Sequence, residues 1–243
     1  MGLDGKYGAL VTRFAAAFAI AMGLGQGAAA QEETCRLALM LALDVSASVD
    51  ADEYALQQSG LISALLAPEV QRGFLDGPGS VALSVFEWSG RFQQEVLVDW
   101  VMIRSEADLL AAAEQIGQGA RRSTDFPTAI GYALGFAAGQ FSTAPPCLFQ
   151  TLDVSGDGQN NDGFPPASAY THFPLEAVTV NGLAIGGAQR EIAQYYEAEI
   201  IRGPGSFVEY AANHADFANA MRRKLERELR VMILGEVAPA QAP

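Results

Sequence analysis

An aspartate and two serines stand at alternate positions in Asp44-Val45-Ser46-Ala47-Ser48. Three oxygen side chains in one short loop can converge on a hard cation such as Mg2+. The same residues have a plainer use, because Ser48 or Asp50 can cap a following helix. Two later segments also carry oxygen ligands, Ser123-Thr124-Asp125 and Ser155-Gly156-Asp157-Gly158. Asp153 competes with Asp157 for a ligand role, but it sits inside an apolar run and reads as a buried or edge polar group. Asn160, Asn161 and Asp162 extend or rim the third segment, or form a turn there; the turn is the better reading.

The elements around these loops decide whether they can meet. Leu37 to Leu43 is a continuous apolar run, the signature of a strand buried on both faces. Asp50 and Glu53 then stand at capping-box spacing ahead of Leu61, Ile62, Leu65 and Leu66, which recur at helical intervals. The first loop therefore lies at the carboxyl end of a strand, where open α/β sheets bind their ligands. Pro68 to Gly79 reads as a loop, and strands follow at 81–88 and 92–100, the second antiparallel at an edge. Helices are expected over 105–116 and 126–141, with Pro127 in the first turn of the second. A fourth strand covers 147–154, a short helix about 167–177, and a fifth strand 178–185. A helix near 190–200, a short strand at 207–210 and a last helix from about Ala215 complete the order. Alternating strands and helices indicate a mostly parallel sheet covered on both faces.

Composition narrows the class. With 243 residues, half of them apolar, the chain can bury one sizeable core. Its net charge of −13 argues against binding a nucleic-acid backbone. The amino terminus carries Lys6 and Arg13, an apolar run from Phe14 to Met22, and Ala28-Ala29-Ala30 before Gln31. That pattern describes a secretory signal peptide over residues 1–30, with periplasmic or secreted localisation. No later stretch approaches a membrane span. Residues 31–236 then form one domain, and 237–243 a disordered tail. The last helix is basic and amphipathic, through Arg222, Arg223, Lys224, Arg227 and Arg230. A solvated outer face explains it better than a membrane contact.

The three oxygen-bearing segments resemble the metal-ion-dependent adhesion site of the von Willebrand factor A-type domain. Asp44, Ser46 and Ser48 match its Asp-x-Ser-x-Ser segment. Thr124, six residues before Ile130, matches its threonine, and Asp157 before Gly158 matches its closing Asp-Gly. The likeness spans roughly 37–234 and extends to a bacterial group of secreted proteins with this domain. It implies a three-layer, doubly wound α/β fold with six strands in the order 3-2-1-4-5-6. It also implies a divalent cation, Mg2+ with Mn2+ or Ca2+ as alternatives, held by Asp44, Ser46, Ser48, Thr124 and Asp157. A protein partner's carboxylate would complete the cation, making the chain an adhesion-type binding module rather than an enzyme. Two positions depart from the pattern: Phe126 stands two residues after the threonine, where a small polar residue is usual, and Gly156 replaces a hydroxyl residue.

Enzyme readings are weaker. A dehalogenase-type phosphatase needs a second aspartate where Ser46 stands, and neither a Gly-x-Ser-x-Gly elbow nor a phosphate-binding loop is present. His172 and His214 have no acid or nucleophile partner at motif spacing and read as structural or surface residues. The alternative that survives is a metal-dependent hydrolase at the same site. On the implied topology Asp44 and Asp157 top neighbouring strands. Cys35, nine residues before the first, and Cys147, ten before the second, then share the opposite end, so a disulfide is expected over two separate thiols.

Overall fold

A computed structural model describes residues 34–122, 124–187 and 190–234. The signal segment expected over 1–30 and the tail over 237–243 lie outside the described residues. Strand β1 (Cys35–Asp44) leads into α1 (Ala51–Leu65) and α2 (Pro68–Leu75). Strands β2 (Ser80–Trp88) and β3 (Gln94–Ile103) precede α3 (Glu106–Gln118) and α4 (Ile130–Phe141). Then come β4 (Cys147–Gly156), α5 (Pro166–His172), β5 (Val178–Ile185) and α6 (Glu191–Tyr195), which runs on into a π-helical turn (Tyr196–Ile200). Strand β6 (Val208–Ala211), a 3-10 turn (His214–Asp216) and α7 (Phe217–Leu234) close the order.

The sheet runs β3-β2-β1-β4-β5-β6, and only the β2–β3 pair is antiparallel. Strand β1 is buried along its whole length because it separates two cores. Leu37, Leu39, Leu41 and Leu43 join side chains of α1, α2, α3 and α7 on one face. Ala38, Met40 and Ala42 join those of α4, α5 and α6 on the other. This is the three-layer, doubly wound architecture that the sequence implied. Among the described residues, no helix is long and apolar enough to cross a membrane.

Two departures from the sequence expectation have clear causes. Residues 68–75 are helical, with Pro68 in the first turn and Val70 and Phe74 buried. Buried Arg36 of β1 donates to the carbonyls of Gly73 and Phe74, satisfying the end of that helix. Helix α4 begins at Ile130, not at Phe126. The carbonyl of Phe126 accepts from Ala47 N–H (2.8 Å), and Ala129 N–H donates to Ser89 (2.9 Å). The Thr128 carbonyl accepts from Asn161 N–H at 2.9 Å. The segment's backbone groups are thus taken by three neighbouring loops and cannot enter a helical ladder.

Cys35 and Cys147 are paired in the β1–β4 register and form a disulfide, with Cα atoms 4.5 Å apart. Asp153 is fully buried, as its apolar setting suggested. Its partner is Lys224 of α7, also fully buried, whose Nζ lies 2.9 Å from Asp153 and 2.7 Å from Glu228. Asn181 of β5 donates to the same Glu228 at 2.6 Å. Burial pushes the Asp153 carboxyl up to about 7; Lys224 opposes this and Glu228 reinforces it. Two carboxylates share one ammonium here, so one of them is held above the usual carboxylate range.

Candidate metal centre

Because β1 and β4 are parallel neighbours, Asp44 and Asp157 emerge at the same edge of the sheet. The Asp44 carboxylate turns back on its own loop, with Oδ1 accepting from Ser46 N–H at 2.8 Å. Its carbonyl accepts from the Gln57 side chain of α1 at 3.1 Å, which pins the strand end. Oδ2 is buried and has no hydrogen-bond partner. Burial pushes this carboxyl up to about 7, the nearby charge of Asp157 adds to the shift, and hydrogen bonds from Ser46 oppose it.

Above Asp44 runs a chain of oxygens from three separate segments. Thr128 Oγ1 donates to Ser46 Oγ at 3.2 Å, and Ser46 Oγ lies 3.1 Å from Ser48 Oγ. Ser48 Oγ donates to Asp157 Oδ1 at 2.7 Å. The capping alternative is resolved by Asp50, whose side chain accepts from Glu53 N–H while Glu53 accepts from Asp50 N–H. Ser48 is left to face Asp157. Arg121 steadies the loop from below, donating to the carbonyls of Val45 (3.1 Å) and Ser46 (2.9 Å).

Of the five residues named from the sequence, the structure gathers Asp44, Ser46, Ser48 and Asp157. It does not bring in Thr124, which is exposed and hydrogen-bonds Asp125 at 3.2 Å. Buried Thr128 stands at Ser46 instead. The displacement follows from α4: its start falls four residues later than the sequence suggested, and the threonine shifts with it. Asn160 and Asn161 have a different role from the turn formers expected. Their side-chain carbonyls accept from Gly131 N–H (3.1 Å) and Thr128 N–H (2.9 Å). Asn160 thus caps α4, which has no side-chain cap of its own, and Asn161 holds the segment just before it.

A second group shares Asp157. Glu53 Oε1 lies 3.0 Å from His214 Nδ1, and ligand atoms of Glu53, Asp157 and His214 all fall within 4.8 Å of one another. His214 is buried and its Nε2 has no partner. Sequence reading missed both Glu53 and His214, although the capping box had already placed Glu53 at this edge.

Donor chemistry fits a divalent cation. Hydroxyls of Ser46, Ser48 and Thr128 with carboxylates of Asp44 and Asp157 suit a hard ion. The orphaned Asp44 Oδ2 marks a place short of positive charge. The imidazole of His214 makes the adjoining group better suited to a transition metal.

Residues 34–233 match the family described as a protein of unknown function, DUF1194. The chain belongs to this family. No curated protein gives a significant sequence match. Among solved structures, proximal thread matrix protein 1 from the mussel byssus, with a zinc-occupied MIDAS motif, is similar with a TM-score of 0.60 and 17% identity. The match covers 81% of this chain and 48% of that one, so the chain spans about half the length of the mussel protein. The von Willebrand factor type A protein from Catenulispora acidiphila gives 0.57 and 18%, covering 81% and 43%. BatB from Bacteroides thetaiotaomicron gives 0.55 and 16%, covering 81% and 98%. At these identities the likeness shows the fold alone. This DUF1194 chain has a von Willebrand factor A-type fold.

One departure of the DUF1194 chain from the adhesion-site pattern has a steric cause. A Cβ on Gly156 would lie 2.5 Å from the Tyr196 hydroxyl and 2.9 Å from Asp44 Oδ2. On β5, a Cβ on Gly182 would lie 2.6 Å from the Tyr196 ring. Two neighbouring strands thus omit side chains to admit a fully buried tyrosine behind Asp44. Gly156→Ala is expected to destabilise the protein by about 1–3 kcal/mol through overpacking. Urea denaturation measures it, and unchanged stability would mean that Tyr196 gives way freely.

Proposed function

We propose that this DUF1194 chain is an exported binding module that recognises a carboxylate of a protein partner through a divalent cation. Asp44, Ser46, Ser48, Thr128 and Asp157 would hold that cation. The observation carrying the reading is the oxygen chain from Thr128 to Asp157, closed over a buried Asp44 oxygen with no partner. Neutral hydroxyls neutralise little of a cation's charge, and that favours an anionic group from outside. The fold likeness to proteins that include a zinc-occupied MIDAS supports it. Mg2+ is the ion this oxygen set suits best, and His214 gives Zn2+ a claim on the neighbouring group.

Calorimetric titration of chelator-treated protein with Mg2+, Mn2+ and Zn2+ tests the site. Binding should raise stability by mass action, by about 2.7 kcal/mol at one hundred times the dissociation constant. Asp44→Asn, which keeps the shape of the side chain, should remove the heat and the melting shift together. Absence of both with wild-type protein at millimolar metal would end the proposal.

A second reading, a metal-dependent hydrolase, draws on one observation. His214 is oriented by Glu53 beside Asp157, an arrangement that a general base would use. Capture of a protein from envelope extract that chelator releases intact favours the binding module; chelator-sensitive cleavage favours the hydrolase.

Export is part of the proposal. A disulfide between the central strands suits an oxidising compartment, and residues 1–30 have the composition of a leader. Intact-mass measurement of the protein recovered from its producing cells should give a chain starting at Gln31. A mass that includes Met1 to Ala30 would contradict it.

A further inference from the structure

Glu53, Asp157 and His214 come from three segments that meet at the edge of the sheet carrying the proposed cation site. Glu53 lies in the first turn of α1, where the capping box fixes it, with Oε2 accepting from Asp50 N–H at 2.9 Å. Its other oxygen, Oε1, meets His214 Nδ1 at 3.0 Å. His214 opens the turn after β6, and Asn213 caps that turn by accepting from Asp216 N–H at 3.2 Å. Asp157 follows β4, and its Oδ1 accepts from Ser48 Oγ at 2.7 Å. A carboxylate has two oxygens, so Asp157 can serve a neighbour on each side.

Two features separate this group from an ordinary acidic patch. The imidazole is 6% exposed, with Nδ1 at Glu53 and Nε2 without a hydrogen-bond partner. Withdrawing a ring nitrogen from water without a partner is costly. The geometry is the second feature. Ligands bonded at about 2.0–2.1 Å stand about 2.8–3.4 Å apart around a tetrahedral or octahedral ion. The 3.0 Å Glu53–His214 contact therefore already has the length of a coordination edge, and Asp157 is the residue that must close in. Positive charge is also short here. Asp44, Asp157 and Glu53 share the edge, while Arg121 gives hydrogen bonds to the carbonyls of Val45 and Ser46. One imidazole with two carboxylates is a donor set for Zn2+ and its neighbours in the first transition row, whereas Mg2+ prefers oxygen alone.

We propose that Glu53, Asp157 and His214 form a second metal site, selective for a transition metal such as Zn2+, which shares Asp157 with the oxygen-ligated cation and weakens that cation's binding. The second site stands independently of the adhesion reading; its effect on the cation rests on that reading. Three carboxylates carry less charge than two divalent ions, and the ions repel each other, so filling either group makes the other harder to fill. Linkage makes the effect reciprocal. A transition metal thus acts as a brake on the partner-binding site.

The visible absorbance of Co2+, titrated into chelator-treated, untagged protein, tests it. The chain has two histidines, and its two cysteines are joined in the disulfide, so imidazole ligation must come from His214 or the exposed His172 and thiolate ligation is excluded. One equivalent should produce d–d bands that Zn2+ abolishes by displacement. His214→Gln should remove the bands and weaken Co2+ binding at least tenfold, while the calorimetric response to Mg2+ persists and shows the variant folded. Glu53→Gln, which keeps an oxygen for the capping box, should act in the same direction, and His172→Gln should change nothing. Saturating Mg2+ should raise the Co2+ dissociation constant at least threefold. Bands that persist in His214→Gln, or no bands at millimolar Co2+, would overturn the site and leave the Glu53–His214 contact as a strut between α1 and the turn after β6. Bands that depend on His214 but ignore Mg2+, in protein that does bind Mg2+, would overturn the sharing of Asp157. Bands that depend on His214 in protein giving no Mg2+ response would uphold the second site and end both the cation–carboxylate reading and the coupling.

Discussion

Lys224→Met is expected to destabilise the protein by about 3–5 kcal/mol, the usual result of removing one partner from a buried ion group. Lys224, Asp153 and Glu228 are all withdrawn from solvent, so water cannot replace the lost ammonium. Burial alone would lower the Lys224 pKa, yet Asp153 and Glu228 outweigh it and hold the ammonium charged. The variant also carries a pH signature. Asp153 already keeps its proton up to about 7 in the folded state, well above its ordinary value of 3.8. With Lys224 gone, the opposing pull is gone, and the folded carboxyl holds its proton more strongly still. The folded state then binds more protons than the unfolded one, so stability falls as pH rises between those values. Urea denaturation of the variant from pH 5 to 8 should show its deficit shrinking toward acid. A deficit under 1 kcal/mol, or one that grows toward acid, would contradict this account of the cluster.

Removing the disulfide by Cys35→Ser with Cys147→Ser should cost about 4–5 kcal/mol in the chain-entropy model. The bond spans 112 residues and closes most of the fold into one loop. Since both cysteines belong to central strands, the double variant should unfold at lower urea with its native sheet otherwise intact. A stability within 1 kcal/mol of wild type would show that the unfolded chain stays compact without the bond.

The fold was readable because its signals are local and redundant. The apolar run from Leu37 to Leu43 announces a doubly covered strand, and the hydroxyl loop after it announces the site edge. Asp44, Ser46, Ser48 and Asp157 were legible for the same reason: each follows a strand end that the apolar pattern marks. Thr128 was not. Its position depends on where α4 begins, and that is set by Ala47, Ser89 and Asn161, which are distant in sequence. Helix α2 was hidden by the Gly and Pro content of its segment, and its end is satisfied by Arg36 from the preceding strand. His214 and Tyr196 carry no motif at all. Their relevance lies in contacts with Glu53 and with the space left by Gly156 and Gly182. Long-range hydrogen bonds and omitted side chains leave no period in a sequence.

The pairing of β1 with β4 places the candidate site and the disulfide at opposite ends of one ladder. Tension applied by a partner at Asp44 and Asp157 would therefore run along the strand axes. Pulled from the same end, the two parallel strands would move as one unit with little load across the bonds between them, and the Cys35–Cys147 link ties their far ends together. Load taken up at the site would thus pass to both central strands at once, and from them into the sheet on either side.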